Sequence, residues 1–241
     1  MKVRPIHVWL GLGIVVCLAC YGGSADTGFQ PGPRVRLAYL GSLSGSATLY
    51  KIDGSNETEL ATVLNSSTPS EYTTLDGLGG FTGDFNFQVR VNNQPVDVPR
   101  VFTLTAGSRN TIAAAKQFQG LGATRNFPVS QIAVPAGYFN FAFAHMATGY
   151  QGAVDVYVIR GEETLQTAGL AFASVGQFGG TTYRLGDTPG NSIVICPAGT
   201  RQALLTVPYP SPTPMASRRF TLFLRGTGPT QGGFSYLIVQ D

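Results

Sequence analysis

Histidine is nearly missing from this chain: only His7 and His145 occur in 241 residues. Cysteine is scarce, with Cys17, Cys20 and Cys196, and Trp9 is the single tryptophan. Charged side chains make up only 12% of the sequence. Each shortage excludes a class of protein. Beyond the first twenty residues only His145 and Cys196 remain, far apart in sequence, and they cannot supply the three or four N/S ligands that a zinc site takes. So few charges exclude a long helical bundle or coiled coil, which draws on Ala, Glu, Lys, Arg and Leu. A surface that grips nucleic acid through phosphates is excluded for the same reason. What is abundant is 31 Gly, 15 Pro, 15 Phe and 10 Tyr, within a 43% hydrophobic composition. That is enough apolar matter to bury a core, so the glycine and proline do not signal disorder.

The first twenty residues read as an address. Lys2 and Arg4 precede an apolar run from His7 to Cys20. The run is short for a membrane span, which needs about 20 residues. It has the length and flanks of a secretory signal. Cys17-Leu18-Ala19-Cys20 resembles a bacterial lipobox, with a small residue before the cysteine to be lipidated and a cysteine where leucine is usual. Lipidation at Cys20 is the preferred reading, and cleavage after Ala25 in Gly23-Ser24-Ala25 is the alternative. Tyr21 and Gly22 follow Cys20, and without an aspartate there an outer-membrane destination is favoured; secreted or periplasmic is the other address. Loss of Lys2 and Arg4 leaves fourteen basic against thirteen acidic residues. Cys196 is then the lone free thiol, so no internal disulfide is available. Its run Ser192-Ile193-Val194-Ile195-Cys196 marks it as a small buried hydrophobe rather than a nucleophile.

The remainder reads as strands separated by Gly, Pro, Asn, Asp and Ser. In the first half they fall near 34–40, 46–52, 58–63, 70–75, 84–91, 98–104 and 109–115. In the second half they fall near 138–145, 153–159, 164–171, 180–185, 191–196, 202–207, 218–224 and 233–239. Asp84–Val91 alternates strictly, as a half-buried antiparallel strand does. The halves also repeat. Leu37-Ala38-Tyr39 and the run ending Tyr50-Lys51-Ile52-Asp53-Gly54 parallel Phe143-Ala144-His145 and the run ending Tyr157-Val158-Ile159-Arg160-Gly161, offset by 106 and then 107 residues. The expected fold is all-β: two tandem immunoglobulin-like antiparallel β-sandwich domains after a signal peptide. The expected boundaries are 1–19 for the signal, 20–33 for a flexible tether, 34–116 for the first sandwich, 117–136 for a linker and 137–241 for the second.

Several of these segments resemble a known family. They are the Val154–Val158 strand after Phe143–Ala147, the strand pair within Phe102–Ala115, and Phe220–Gly226 leading to Leu237–Asp241. Together they resemble bacterial cell-envelope proteins built from domain of unknown function 4397. The resemblance covers most of residues 33–241 and is best in the second half. It implies a signal or lipobox and tandem β-sandwiches, and it brings no catalytic residue. Ala47-Thr48-Leu49-Tyr50 departs from Val154-Asp155-Val156-Tyr157, so the two units need not share a role.

Candidate chemistry is sparse. His145 shares a strand face with Phe141 and Phe143 and has no legible partner for a triad, so a hydrogen-bonded structural histidine is expected. Asp53–Glu59 alternates oxygen groups, but Thr58 and Leu64 stand where an EF-hand loop needs Gly and Glu, so it reads as a hairpin tip. Glu162 and Glu163 sit on an expected turn. Gly77–Gly83 lacks the Lys-Ser/Thr of a phosphate loop. Pro208–Pro214 reads as a rigid extended connection. Asp155 interrupts a β-branched run and shares its face with Tyr157 and Ile159. It is expected to face outward, with Val154, Val156 and Val158 inward. Asp155, Tyr157 and Tyr183 are the candidate binding residues. The expected function is binding or scaffolding by a non-enzymatic envelope lipoprotein. One alternative is a carbohydrate-binding module that stacks sugars on aromatics such as Tyr138, Tyr150 and Tyr183. The other is an envelope polysaccharide hydrolase using Asp155 or the Glu162/Glu163 pair. No catalytic residue, cofactor, metal or nucleic-acid partner is expected. The expected partners are the membrane, through the lipid anchor, and an envelope protein or glycan.

Overall fold

The computed structural model describes residues 31–41, 45–64, 66–76, 82–116, 122–129, 133–160, 162–184, 192–208, 218–226 and 233–240. The expected signal segment, Cys20, residues 77–81 of the glycine-rich stretch and the prolines of 210–214 lie outside these residues. The stretch Pro31–Asp241 forms one compact unit.

Among the described residues, all regular structure is strand. The first half carries β1 (Arg34–Tyr39), β2 (Ala47–Asp53), β3 (Asn56–Val63), β4 (Thr73–Thr74), β5 (Thr82–Val91), β6 (Gln94–Pro95), β7 (Arg100–Thr105), β8 (Arg109–Lys116) and β9 (Gly122–Pro128). The second carries β10 (Tyr138–His145), β11 (Val154–Arg160), β12 (Glu162–Leu170), β13 (Ser174–Arg184), β14 (Ser192–Pro197), β15 (Leu205–Pro208), β16 (Arg218–Gly226) and β17 (Phe234–Gln240).

The repeat is topological. The first sandwich faces a sheet of order β4-β1-β8-β9 against β3-β2-β5, with β7 paired to the far side of β5. The second faces β13-β10-β16-β17 against β12-β11-β14-β15. Strand for strand the two orders coincide, apart from the short β6 hairpin. The sheets are antiparallel except at one place in each half, where β1 runs parallel to β8 and β10 parallel to β16. Turn chemistry sets the local registers. Asp53 pairs with Asn56 across Gly54-Ser55, and Gly54 takes φ +61°. Asn92 and Asn93 both adopt positive φ, as the two-residue turn joining β5 to β6 demands.

Each sandwich closes on its own core. Leu37, Leu49, Phe87, Leu104 and Ile112 fill the first. Phe139, Phe141, Val156, Ile195 and Leu222 fill the second. A third cluster joins the two. Ala38, Ala113, Ala115 and Phe127 from the first sandwich pack against Ala144, Met146, Phe223 and Val239 from the second. Phe127 and Phe223 meet edge-to-face at 5.2 Å between ring centroids. The sheets carrying β1 and β10 are therefore apolar on both faces, which explains runs such as Ile112–Ala115 and Phe141–Ala147 that do not alternate. Small alanines let the facing sheets approach. Arg36, 5% exposed, adds a polar tie: Nε donates to Thr111 Oγ1 at 3.0 Å, and Nη1 donates to the Gln240 carbonyl at 2.7 Å.

One expected boundary changes. Residues 117–136 were expected as a linker, yet 122–128 form β9, which pairs along the whole of β8. Its glycine and polar residues disguise a strand that buries Ala123, Thr124 and Phe127. Gly122 is needed for close approach, because a Cβ there would lie 1.7 Å from the Val96 carbonyl oxygen. The first sandwich thus extends past residue 116 and packs directly on the second.

Candidate functional site: the outer face of the second sandwich

The β11 alternation holds as expected. Val154, Val156 and Val158 point into the core, and Asp155 and Tyr157 point to the opposite, outer face of the sheet. That face is covered nevertheless. Asp155 is 6% exposed and Tyr157 5%.

Asp155 is held by backbone. Its Oδ1 accepts the Gly169 N–H at 2.7 Å, and its Oδ2 accepts the Gly199 N–H at 2.8 Å. Gly169 lies at a bulge where β12 slips register opposite Asp155, and Gly199 lies in the turn leaving β14. Both adopt left-handed backbone, at φ +60° and +75°. The Tyr157 hydroxyl donates a longer bond of 3.4 Å to Oδ2. Burial pushes the Asp155 carboxyl up, but the two glycine N–H groups, Tyr157 and the charge of Arg201 outweigh it. The net effect holds it below the usual carboxylate value. An ionised carboxylate with both oxygens committed is a clamp on two irregular turns.

Above Tyr157 sits a residue that sequence reasoning missed. The Arg201 guanidinium carbon lies 4.1 Å from the Tyr157 ring centroid, and the same side chain pairs with Glu163. The first sandwich builds the same trio from different positions. The Arg90 guanidinium carbon lies 4.8 Å from the Tyr50 ring centroid, and Nη1 donates to Glu57 at 2.8 Å. Glu57 pairs across from Ile52, and Glu163 from Ile159, so the glutamates are equivalent in the repeat. The arginines are not: Arg90 comes from β5 itself, and Arg201 from the loop after β14. The Tyr50/Tyr157 correspondence was the one sequence signal that could have led to this arrangement.

The remaining candidates are placed as follows. His145 is fully buried. Its Nε2–H donates to the Gly152 carbonyl at 3.0 Å, and Nδ1 accepts the Ala147 N–H at 3.4 Å. A carbonyl can only accept and an N–H can only donate, so these bonds define one neutral tautomer. Tyr150 stacks on its ring at 6.1 Å, and Phe172 meets its edge at 5.6 Å. Burial holds the imidazole below its ordinary pKa, against an opposing pull from Gly152. Tyr150 therefore belongs to the core margin rather than to a stacking platform. Cys196 is 1% exposed, and burial pushes its thiol up. Tyr183 pairs with Phe139 in backbone register, and its side chain lies outside the described residues, as does that of Glu162. Asp53 at the first hairpin tip pairs with Lys51 at 2.8 Å. Among the described residues, no group of three His, Cys, Asp or Glu is gathered to hold a metal ion.

No family model matches the chain. No curated protein matches it either. Among solved structures it is similar to a fimbrial assembly protein from Parabacteroides distasonis, at 8% identity and a TM-score of 0.23, over 86% of this chain and 98% of that one. A superposition that loose carries no argument about what this chain does.

Proposed function

We propose that the chain is a non-enzymatic lipoprotein of the bacterial cell envelope, whose paired sandwiches bind or scaffold through loops and sheet edges. The observation that carries this reading is the use made of Asp155. The carboxylate best suited by sequence to acid–base work spends both oxygens on the Gly169 and Gly199 N–H groups. His145 spends both ring nitrogens in the same way. The lipobox-like Cys17–Cys20 segment and the resemblance to envelope proteins of domain 4397 supply the address.

The test is fractionation of cells making the wild-type chain or Cys20→Ser. Wild type is expected in outer-membrane fractions, and Cys20→Ser in the soluble envelope fraction. Identical membrane association of the two would overturn the lipid anchor. Turnover of an envelope polysaccharide by the wild type, abolished in Asp155→Asn, would overturn the non-enzymatic part.

A further inference from the structure

Where the two sandwiches meet, a polar cavity of about 200 Å³ opens beside their shared apolar cluster. Leu40, Gly41 and Ser66 line it from the first sandwich, and Thr148, Arg225 and Ser235 from the second. Arg225 closes the end of β16. Its Nε donates to Ser235 Oγ at 3.1 Å, and Nη1 donates to the Ser66 carbonyl. These bonds fix the plane of the guanidinium and leave Nη2 without a partner among the described residues. No carboxylate pairs with this arginine among the described residues, and burial pushes its pKa down from the ordinary value. A half-buried cation without a counter-charge is costly, and an arriving anion would relieve that cost.

A second group points the same way. Thr148 is 4% exposed and lines the cavity wall, where its hydroxyl can both donate and accept. Gly226 and Gly233 also line the cavity and add no side-chain bulk. The space accommodates several water molecules or one small organic molecule.

We propose that this cavity is a binding site for a small hydroxylated carboxylate, with Arg225 taking the carboxylate and Thr148 and Ser235 taking ligand hydroxyls. The match is one of charge and geometry. With Nε and Nη1 engaged, Nη2 remains to donate a charge-assisted hydrogen bond to a carboxylate oxygen. A single lining cation balances one negative charge, whereas a phosphate dianion calls for more. The ligand chemistry has two sources, a free hydroxy acid or a uronic acid of a polysaccharide. The site does not depend on the envelope assignment, because it is formed by the folded sandwiches wherever the chain resides.

The experiment is calorimetric titration of the purified full chain with glucuronate, lactate, inorganic phosphate and neutral glucose, at matched ionic strength. Saturable binding of glucuronate, with a dissociation constant on the order of 1 mM and no response to glucose, is expected. Binding of lactate as well assigns the carboxylate itself as the determinant; glucuronate alone assigns the acidic sugar. Thr148→Val preserves shape and is expected to melt like wild type while binding about 5-fold more weakly, the loss of roughly one hydrogen bond. Arg225→Gln is expected to abolish binding, and its melting temperature without ligand reports whether the junction survives. No saturable carboxylate binding by the wild type would overturn the proposal. So would tighter binding of phosphate, or affinity unchanged in both variants.

Discussion

Replacing Asp155 with alanine tests the clamp directly. The substitution leaves the Gly169 and Gly199 N–H groups without their acceptors, at a position only 6% exposed. Hydrogen bonds to a charged group contribute about 1.5–3 kcal/mol each. Removing the carboxylate also removes its own desolvation cost, so the two losses do not sum in full. The net expectation is a destabilisation of about 2–4 kcal/mol. For a body of this size that lowers the melting temperature by about 6–12 °C. Asp155→Asn keeps one acceptor oxygen and turns an NH₂ toward the other glycine N–H, so it recovers no more than half of the loss. The control is Thr48→Ala, at the equivalent position of the first sandwich, where the side chain only bonds Thr62 at 2.9 Å on the exposed face. That change is expected to cost less than about 1 kcal/mol. Urea titration of the three variants decides the matter. The pH dependence has a definite sign. The folded carboxyl lies below its ordinary value of 3.8, so its contribution is complete above that pH and is lost as pH falls through the folded value. Asp155→Ala must lack this acid-side loss. A cost below about 0.5 kcal/mol for Asp155→Ala, or full stability in Asp155→Asn, would refute the clamp.

Two further outcomes follow from packing and titration. Phe223→Ala empties the contact with Phe127 at the junction and is expected to cost about 3–5 kcal/mol, with calorimetry showing the sandwiches beginning to melt separately. A single unshifted transition would count against a joint core. His145 is buried neutral with its pKa held below 6.5, so its stabilisation is complete above pH 6.5 and declines as pH falls toward the folded value. His145→Phe is expected to flatten the stability profile in that window, measured by urea midpoints; an unchanged slope would place the titration elsewhere.

Much of the strand plan was legible because it rests on local chemistry. The Phe85, Phe87 and Val89 alternation, the Asp53–Asn56 turn and the β-branched run at 154–159 all behave as their period requires. β9 was not legible, since Gly122-Ala123-Thr124-Arg125-Asn126-Phe127 has little β-branched content and becomes a strand only by pairing with β8. The outward direction of Asp155 was readable from alternation. Its burial was not, because Gly169 and Gly199 lie 14 and 44 residues away and reach it only through a bulge and a turn. Arg201 and Arg225 were equally silent: a lone arginine in sequence carries no sign of the ring or carbonyl it will meet.

By itself the sequence determined an all-β chain that repeats, with one histidine and one cysteine beyond its first twenty residues, because periodicity and composition are properties of neighbours along the chain. Only the tertiary structure decided that the two sandwiches share a third apolar cluster rather than hang on a linker. That choice depends on the second faces of the β1 and β10 sheets, whose alanines look unremarkable until another sheet is laid against them. The same apposition encloses Arg225 and Thr148, so the cavity at the junction belongs to neither repeat alone.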